Sequence, residues 1–302
     1  MAARRAITST QYRIGWLAAA MIVAAIFVAD VPVVGVSTAT AQPNVTVAPT
    51  RLVFEDRDRT EELVLLNRGD EAVTYRVSLI GMKMEDDGSL ERIDEPGDGQ
   101  QFAHELLRFA PRQVHLGPGE SQRIRVSVRK PSDLEEGEYR SHMLFQAVPD
   151  TPATDGDGTD EDDGELALRL NIISGISIAA IVRHGELSAD IEIDDLDYVE
   201  SDDEQMPDML RFRLHRDGEQ SVYGDLRAEF LPDGAGEAGD EEVEPVTISR
   251  RNGTAVYTPN DSRDLEMPVH PPDDVELDGG RIVVTYETES GETLTTGDIE
   301  LP

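Results

Sequence analysis

The chain has 302 residues with 62 acidic and 27 basic side chains, for a formal net charge of −35, and this balance excludes nucleic-acid recognition, which needs clustered cations to release counterions. It contains no cysteine, so there is no disulfide framework, thiol nucleophile or thiolate metal site, and its stability must come from packed cores. Lys83 and Lys130 are the only lysines, and so acidic and lysine-poor a surface suits high salt, where screening relieves self-repulsion.

Arg4, Arg5 and Arg13 precede a thirteen-residue apolar run, Leu17 to Ala29, which leads to Ala39-Thr40-Ala41. A charged start, an apolar middle and small residues three and one before the cut are the layout of a secretory signal, with cleavage expected after Ala41. The run falls short of the roughly 20 residues of a membrane span. Val31 to Val36 extends it beyond Asp30, so a retained N-terminal anchor is the alternative. The remaining chain, about 260 residues long, suits two domains, expected at 42–184 and 185–302.

Strand signals dominate that remainder. Val45 to Phe54, Glu62 to Leu66, Val73 to Ile80, Gln122 to Val128 and Arg140 to Val148 are β-branched or alternating, with turn clusters between them. In Gln122 to Arg129, Ile124, Val126 and Val128 alternate with Arg123, Arg125 and Arg129, predicting one buried and one solvated face. Gly117-Pro118-Gly119 predicts a tight turn before it. Thr151 to Glu165 has almost no apolar residue and is expected to be a mobile acidic loop. An apolar strand region then runs to Val182.

A second group of strands follows: Leu187 to Ile193, Leu210 to Leu214, Val222 to Phe230, Val246 to Ser249, Ala255 to Tyr257, Ile282 to Tyr286 and one near Thr293 to Ile299, with an acidic loop at Gly234 to Glu242. Two groups of short strands predict an all-β protein of two antiparallel, immunoglobulin-like sandwiches joined near His184-Gly185.

Catalytic patterns are poor. His104-Glu105-Leu-Leu-Arg108 begins like a zinc motif, but has Arg where the second histidine belongs and reads as extended. Asp155-Gly-Asp-Gly-Thr-Asp160 departs from a calcium loop at its sixth and twelfth positions, Asp160 and Leu166. No enzyme activity, metal, cofactor or small-molecule substrate is expected.

Two features point to a protein partner. Leu166, Leu168, Leu170 and Ile172 share one face of an extended segment, with Ala167, Arg169 and Asn171 on the other. Such a row either faces its own core or, as the last strand of a domain after a loop, is presented to another chain. Four such side chains buried in a partner groove yield on the order of 6 to 12 kcal/mol gross, of which association costs consume much. Arg51, inside the first strand, is either a surface arginine paired with a carboxylate or an anchor for one, since its planar fork holds both oxygens.

The order of motifs resembles the PapD-like periplasmic chaperones of the chaperone–usher pathway. Pro49-Thr50-Arg51-Leu-Val-Phe54 and Leu63-Val-Leu-Leu-Asn67 look like that family's first two strands. Phe109-Ala-Pro-Arg through Gly117-Pro-Gly to Gln122-Arg-Ile-Arg125 is similar to its Pro-Arg, Pro-Gly and Gln-x-x-Arg stretch, and Gly137 to Pro149 to its penultimate strand. The resemblance covers most of Val45 to Arg183, while the second domain matches chiefly in strand spacing.

What the resemblance implies is a protein that lends a strand to incomplete pilus- or fimbria-type subunits in the periplasm and delivers them to an outer-membrane usher. It implies two sandwiches with a cleft between them, in which Arg51 anchors the subunit's C-terminal carboxylate. Leu166, Leu168, Leu170 and Ile172 would then be the donor strand, and Val45 and Val47 its support in the first strand. The family's lysine near the end of the last strand has no counterpart, because Asn171 to Val182 holds no Lys or Arg. Arg169 lies opposite the donor row and Arg183 at the junction. Tyr139-Arg140-Ser141 stands where the family usually has Arg-Glu-Ser. The competing expectation is an envelope structural or adhesive protein that uses the same sandwiches without donating a strand.

Overall fold

The computed structural model describes residues 45–55, 57–148, 175–203, 205–232 and 244–301. The expected signal at 1–41, the donor row Leu166, Leu168, Leu170 and Ile172, and the acidic loops at Thr151 to Glu165 and Gly234 to Glu242 lie outside the described residues.

Every regular element among the described residues is a β-strand. The first ten are β1 (Val45–Ala48), β2 (Arg51–Phe54), β3 (Thr60–Asn67), β4 (Val73–Met84), β5 (Leu90–Ile93), β6 (Leu107–Ala110), β7 (Gln113–Leu116), β8 (Ser121–Val128), β9 (Gly137–Val148) and β10 (Gly175–His184). They make one sheet in the order β1-β3-β8-β6 and another in the order β2-β10-β9-β4-β5, with β7 pairing the start of β4. The last seven are β11 (Ala189–Val199), β12 (Met209–Gly218), β13 (Val222–Leu231), β14 (Val246–Val256), β15 (Ser262–Pro268), β16 (Gly280–Glu287) and β17 (Thr293–Leu301). Their sheets run β11-β12-β15 and β14-β13-β16-β17. The protein is all-β, built as two immunoglobulin-like sandwiches.

Several elements depart from the sequence reading. Val45 to Phe54 is two strands, because Pro49 has no N–H to give a ladder and the chain changes sheets there: β1 pairs antiparallel with β3, and β2 pairs parallel with β10. Val246 to Ser249 and most of Ala255 to Tyr257 belong to the single strand β14, which ends at Val256 just before Tyr257 and keeps its pairing with β13 through two register shifts. The short strands β5, β6 and β7 and the strand β15 lack a run long enough to stand out. His104 to Leu106 forms a turn rather than extended chain, with the Leu106 and Leu107 N–H groups both donating to the Ala103 carbonyl.

The cores follow from alternation. Leu63 and Leu65 of β3, Ile124 and Val126 of β8 and Met143 and Phe145 of β9 are fully buried in the first sandwich, as are Leu52 and Phe54 of β2. Arg123, Arg125 and Arg129 are exposed, as the alternation predicts. Leu210, Leu214, Phe230, Ile282, Val284 and Tyr286 fill the second core, where the Tyr286 hydroxyl donates to the Thr254 carbonyl at 2.8 Å. Asn67 ties two connections together, the β3–β4 loop and the β7–β8 turn, its amide donating to the carbonyls of Glu71, Leu116 and Gly117 while its oxygen accepts the Gly69 N–H.

Strand β10 is buried on both faces, which explains its unbroken apolar run. Ile178, Ala180 and Val182 enter the first core, whereas Ala179 and Ile181 join Met84, Ala255 and Tyr257 in a smaller cluster between the sandwiches, flanked by Val53 and Tyr223. Just after β10 the chain turns at Gly185, whose φ of 93° disfavours any other residue and where a Cβ atom would press on Glu136.

Candidate functional site

Two strands of the first sandwich carry polar groups into the contact with the second. Along β9, Tyr139, Met143 and Phe145 pack with the first core, so Glu138, Arg140 and His142 fall on the opposite face by the two-residue period. All three are buried, at 6%, 1% and 2% exposure.

Glu138 is the best satisfied of the three. Its carboxylate accepts the Ser221 N–H at 2.9 Å, the Thr258 hydroxyl at 3.0 Å, the Arg183 Nε–H at 3.1 Å and a very short bond from the Ser221 hydroxyl. Arg140 stacks over the Tyr257 ring at 4.5 Å and donates from Nη2 to the Thr258 carbonyl at 3.2 Å. Its Nε and Nη1 have no hydrogen-bond partner among the described residues. Burial pulls the Arg140 guanidinium below its usual value, with Tyr257 and Glu138 opposing, and burial raises the Tyr257 hydroxyl. Burial, followed by the Arg140 charge, brings the His142 imidazole down to about 3. His142 is therefore neutral at ordinary pH.

Beside this junction opens a cleft of about 360 Å³, lined among others by Arg51, Val53, Arg183, Tyr223, Thr288 and Leu294. Arg51 is half-buried on β2, opposite Ala179 of β10. Its guanidinium lies 4.0 Å from the centre of the Tyr223 ring, and its Nη2 donates to Glu289 Oε2 at 2.9 Å. Tyr223 belongs to β13, and Glu289 to the turn between β16 and β17. Arg51 thus reaches across from β2 to the second sandwich.

Arg183 lines the same cleft with its donors engaged: Nε to Glu138, Nη1 to Glu55 at 2.5 Å and Nη2 to the Ser221 carbonyl at 2.7 Å. Arg183 is thereby committed to holding the sandwiches together. Val45 and Val47 are 5% and 6% exposed and point into the first core. The donor row lies outside the described residues, but the chain that follows it becomes β10, the neighbour of β2.

The other features that looked chemical have structural roles. His104 pairs through Nδ1 with the Ser141 hydroxyl at 3.1 Å, and Ser141 in turn accepts the Ala103 N–H. Among the described residues no three His, Asp or Glu side chains converge as metal ligands would. A larger cavity, about 630 Å³, is lined mainly by β12 and β15, and four of its charged side chains form cross-strand pairs, Arg211 with Glu266 at 2.9 Å and Arg213 with Asp264 at 2.8 Å.

Sequence reasoning singled out Arg51 and missed Tyr223, Glu289, Glu138 and Ser221. Arg51 and Glu289 are 238 positions apart, and nothing local marks either as the other's partner.

No family model and no curated protein matches the chain. Solved structures do. The chain is similar to the Pseudomonas aeruginosa CupB2 chaperone, at 13% identity over 85% of this chain and 100% of that one, with a TM-score of 0.39. It is similar to the E. coli chaperone DraB, at 15% identity over 85% and 98%, with a TM-score of 0.38. A chain of the CsuC–CsuE chaperone–tip adhesion subunit pre-assembly complex of Acinetobacter baumannii matches at 9% identity over 85% and 97%, with a TM-score of 0.40.

Proposed function

We propose that this protein is a periplasmic assembly chaperone that captures pilus- or fimbria-type subunits by donor-strand complementation and delivers them to an outer-membrane usher. The observation that carries this reading is the position of Arg51, in the cleft between the sandwiches and on the strand that pairs in parallel with β10. The row Leu166, Leu168, Leu170 and Ile172 comes shortly before β10 in the chain, and β10 in turn is the neighbour of the strand that carries Arg51.

The chemistry is binding alone. A subunit strand adding beside the donor row gains main-chain hydrogen bonds and places apolar side chains against the leucines. Its C-terminal carboxylate ends at Arg51, the fixed point of the register. Ala179, the partner of Arg51, lies seven positions beyond Ile172, a distance of about 23 Å for an extended chain at about 3.3 Å per residue. A subunit strand long enough to cover that distance is selected over a shorter one. Val45 and Val47 serve the reading indirectly, by holding β1 in the first core. The secretory signal read in the N-terminal sequence delivers the chain to the compartment where such subunits emerge.

Purification of the protein from its native periplasm tests the reading. A secreted subunit is expected to come with it near one-to-one and to be lost with Arg51→Glu. A stable monomer without a partner contradicts it.

A further inference from the structure

We propose that Glu289 is a built-in stand-in for the carboxylate of the incoming subunit, occupying the Arg51 guanidinium in the free protein and giving way on capture, while Tyr223 positions that guanidinium in both states. The inference rests on the anchoring role proposed for Arg51 and adds to it a competitor and a positioning residue, both from the second sandwich.

Glu289 presents to Arg51 the group that a chain terminus would present, a carboxylate oxygen at 2.9 Å. It is delivered by a well-built turn. The Thr288 N–H donates to the Glu292 carbonyl at 2.8 Å, the Gly291 N–H returns to the Thr288 carbonyl at 2.9 Å, and the Thr288 and Ser290 hydroxyls bond at 2.8 Å. Gly291 closes the turn at a φ of 83°. The turn therefore fixes the backbone that carries Glu289 beside Arg51, while the side chain itself stays exposed.

The pair is asymmetric. The Arg51 side chain is 25% exposed and that of Glu289 is 58% exposed. Arg51 is fixed by the Tyr223 ring beneath it, an arrangement that leaves the edge of the guanidinium free to donate. Glu289 is free to swing into water. An ion pair with so exposed a member contributes little, about 0.2 to 1 kcal/mol, which is what a contact meant to be displaced requires. It keeps the arginine oriented without closing the cleft. Arg183 does not compete for the role, because its Nε, Nη1 and Nη2 are already bonded within the protein.

The test uses the purified full chain and two synthetic peptides of the same alternating apolar sequence, one with a free C-terminal carboxylate and one as the C-terminal amide, with binding followed by calorimetry. The wild type is expected to prefer the free acid. Glu289→Gln removes the competing charge and should tighten the free acid about two- to fivefold, the factor corresponding to an exposed ion pair, while leaving the amide unchanged. Tyr223→Leu should reduce the preference for the free acid, and Tyr223→Phe, which keeps the ring face, should restore it. If Glu289→Gln leaves free-acid binding unchanged while Arg51→Gln still erases the preference, the stand-in role is wrong and the anchor survives. If Tyr223→Leu keeps the full preference, the positioning role is wrong. A wild type that binds both peptides equally, or neither, overturns the anchor and the stand-in together.

Discussion

Arg183 and Glu138 face each other across β10 and β9, bonded at 3.1 Å, with the Glu138 carboxylate only 1% exposed. Ser221 and Thr258 of the second sandwich complete its shell, so one carboxylate fastens two strands of the first sandwich to two segments of the second. Removing that carboxylate leaves the Ser221 and Thr258 donors without their acceptor and Arg183 with only its more exposed partner Glu55.

Glu138→Ala should therefore destabilise the protein by about 3 to 5 kcal/mol, with Glu138→Gln falling between it and the wild type because an amide oxygen still accepts a hydrogen bond. Urea unfolding followed by circular dichroism reads the loss. An unchanged midpoint for Glu138→Ala would mean that the junction is held by its apolar contacts alone.

His142 makes the same junction sensitive to acid. Its imidazole titrates at about 3 in the folded protein, against about 6.5 in an unfolded chain. The unfolded state takes up a proton that the folded state refuses, so stability present at neutral pH is lost as pH falls through 6.5 towards 3. Between pH 7 and pH 5 this residue should cost about 2 kcal/mol. His104, also lowered by burial, acts in the same direction. His142→Phe should flatten the dependence of the urea midpoint on pH in that interval, and a dependence as steep as that of the wild type would show that the imidazole does not set it.

Arg51 should behave in the opposite way, mattering to capture and hardly at all to stability. Its pair with Glu289 is exposed and contributes at most about 1 kcal/mol, so Arg51→Lys should leave the unfolding midpoint nearly in place. The planar fork is lost, and with it about 1.5 to 3 kcal/mol of charged hydrogen bonding, or roughly ten- to a hundredfold in affinity for a carboxylate-ended partner. Equal capture by Arg51→Lys and wild type would show that a point charge suffices.

Much of this fold was legible in the chain because period-two alternation writes the buried face of a strand directly into sequence, as in Leu63 and Leu65 or Ile124 and Val126. The apolar run of β10 was visible too, although not that its two faces serve two different cores. What alternation cannot say is what covers the polar face. Glu138, Arg140 and His142 repeat at the spacing of a solvated face, yet they are buried against the second sandwich. The change of sheet at Pro49 was hidden by the strand-like residues on either side. At the candidate site, Arg51 could be singled out through its motif, whereas Tyr223 and Glu289 reach it only by tertiary contact, and Glu289 sits in a turn whose composition is that of any exposed turn.

The donor row offers the most direct measurement. Leu168→Asp together with Leu170→Asp places two charges where a subunit strand must pack, and the doubly substituted protein, purified from the native periplasm, should come without the partner that the wild type retains while its second sandwich stays folded. Undiminished capture by that variant would contradict strand donation.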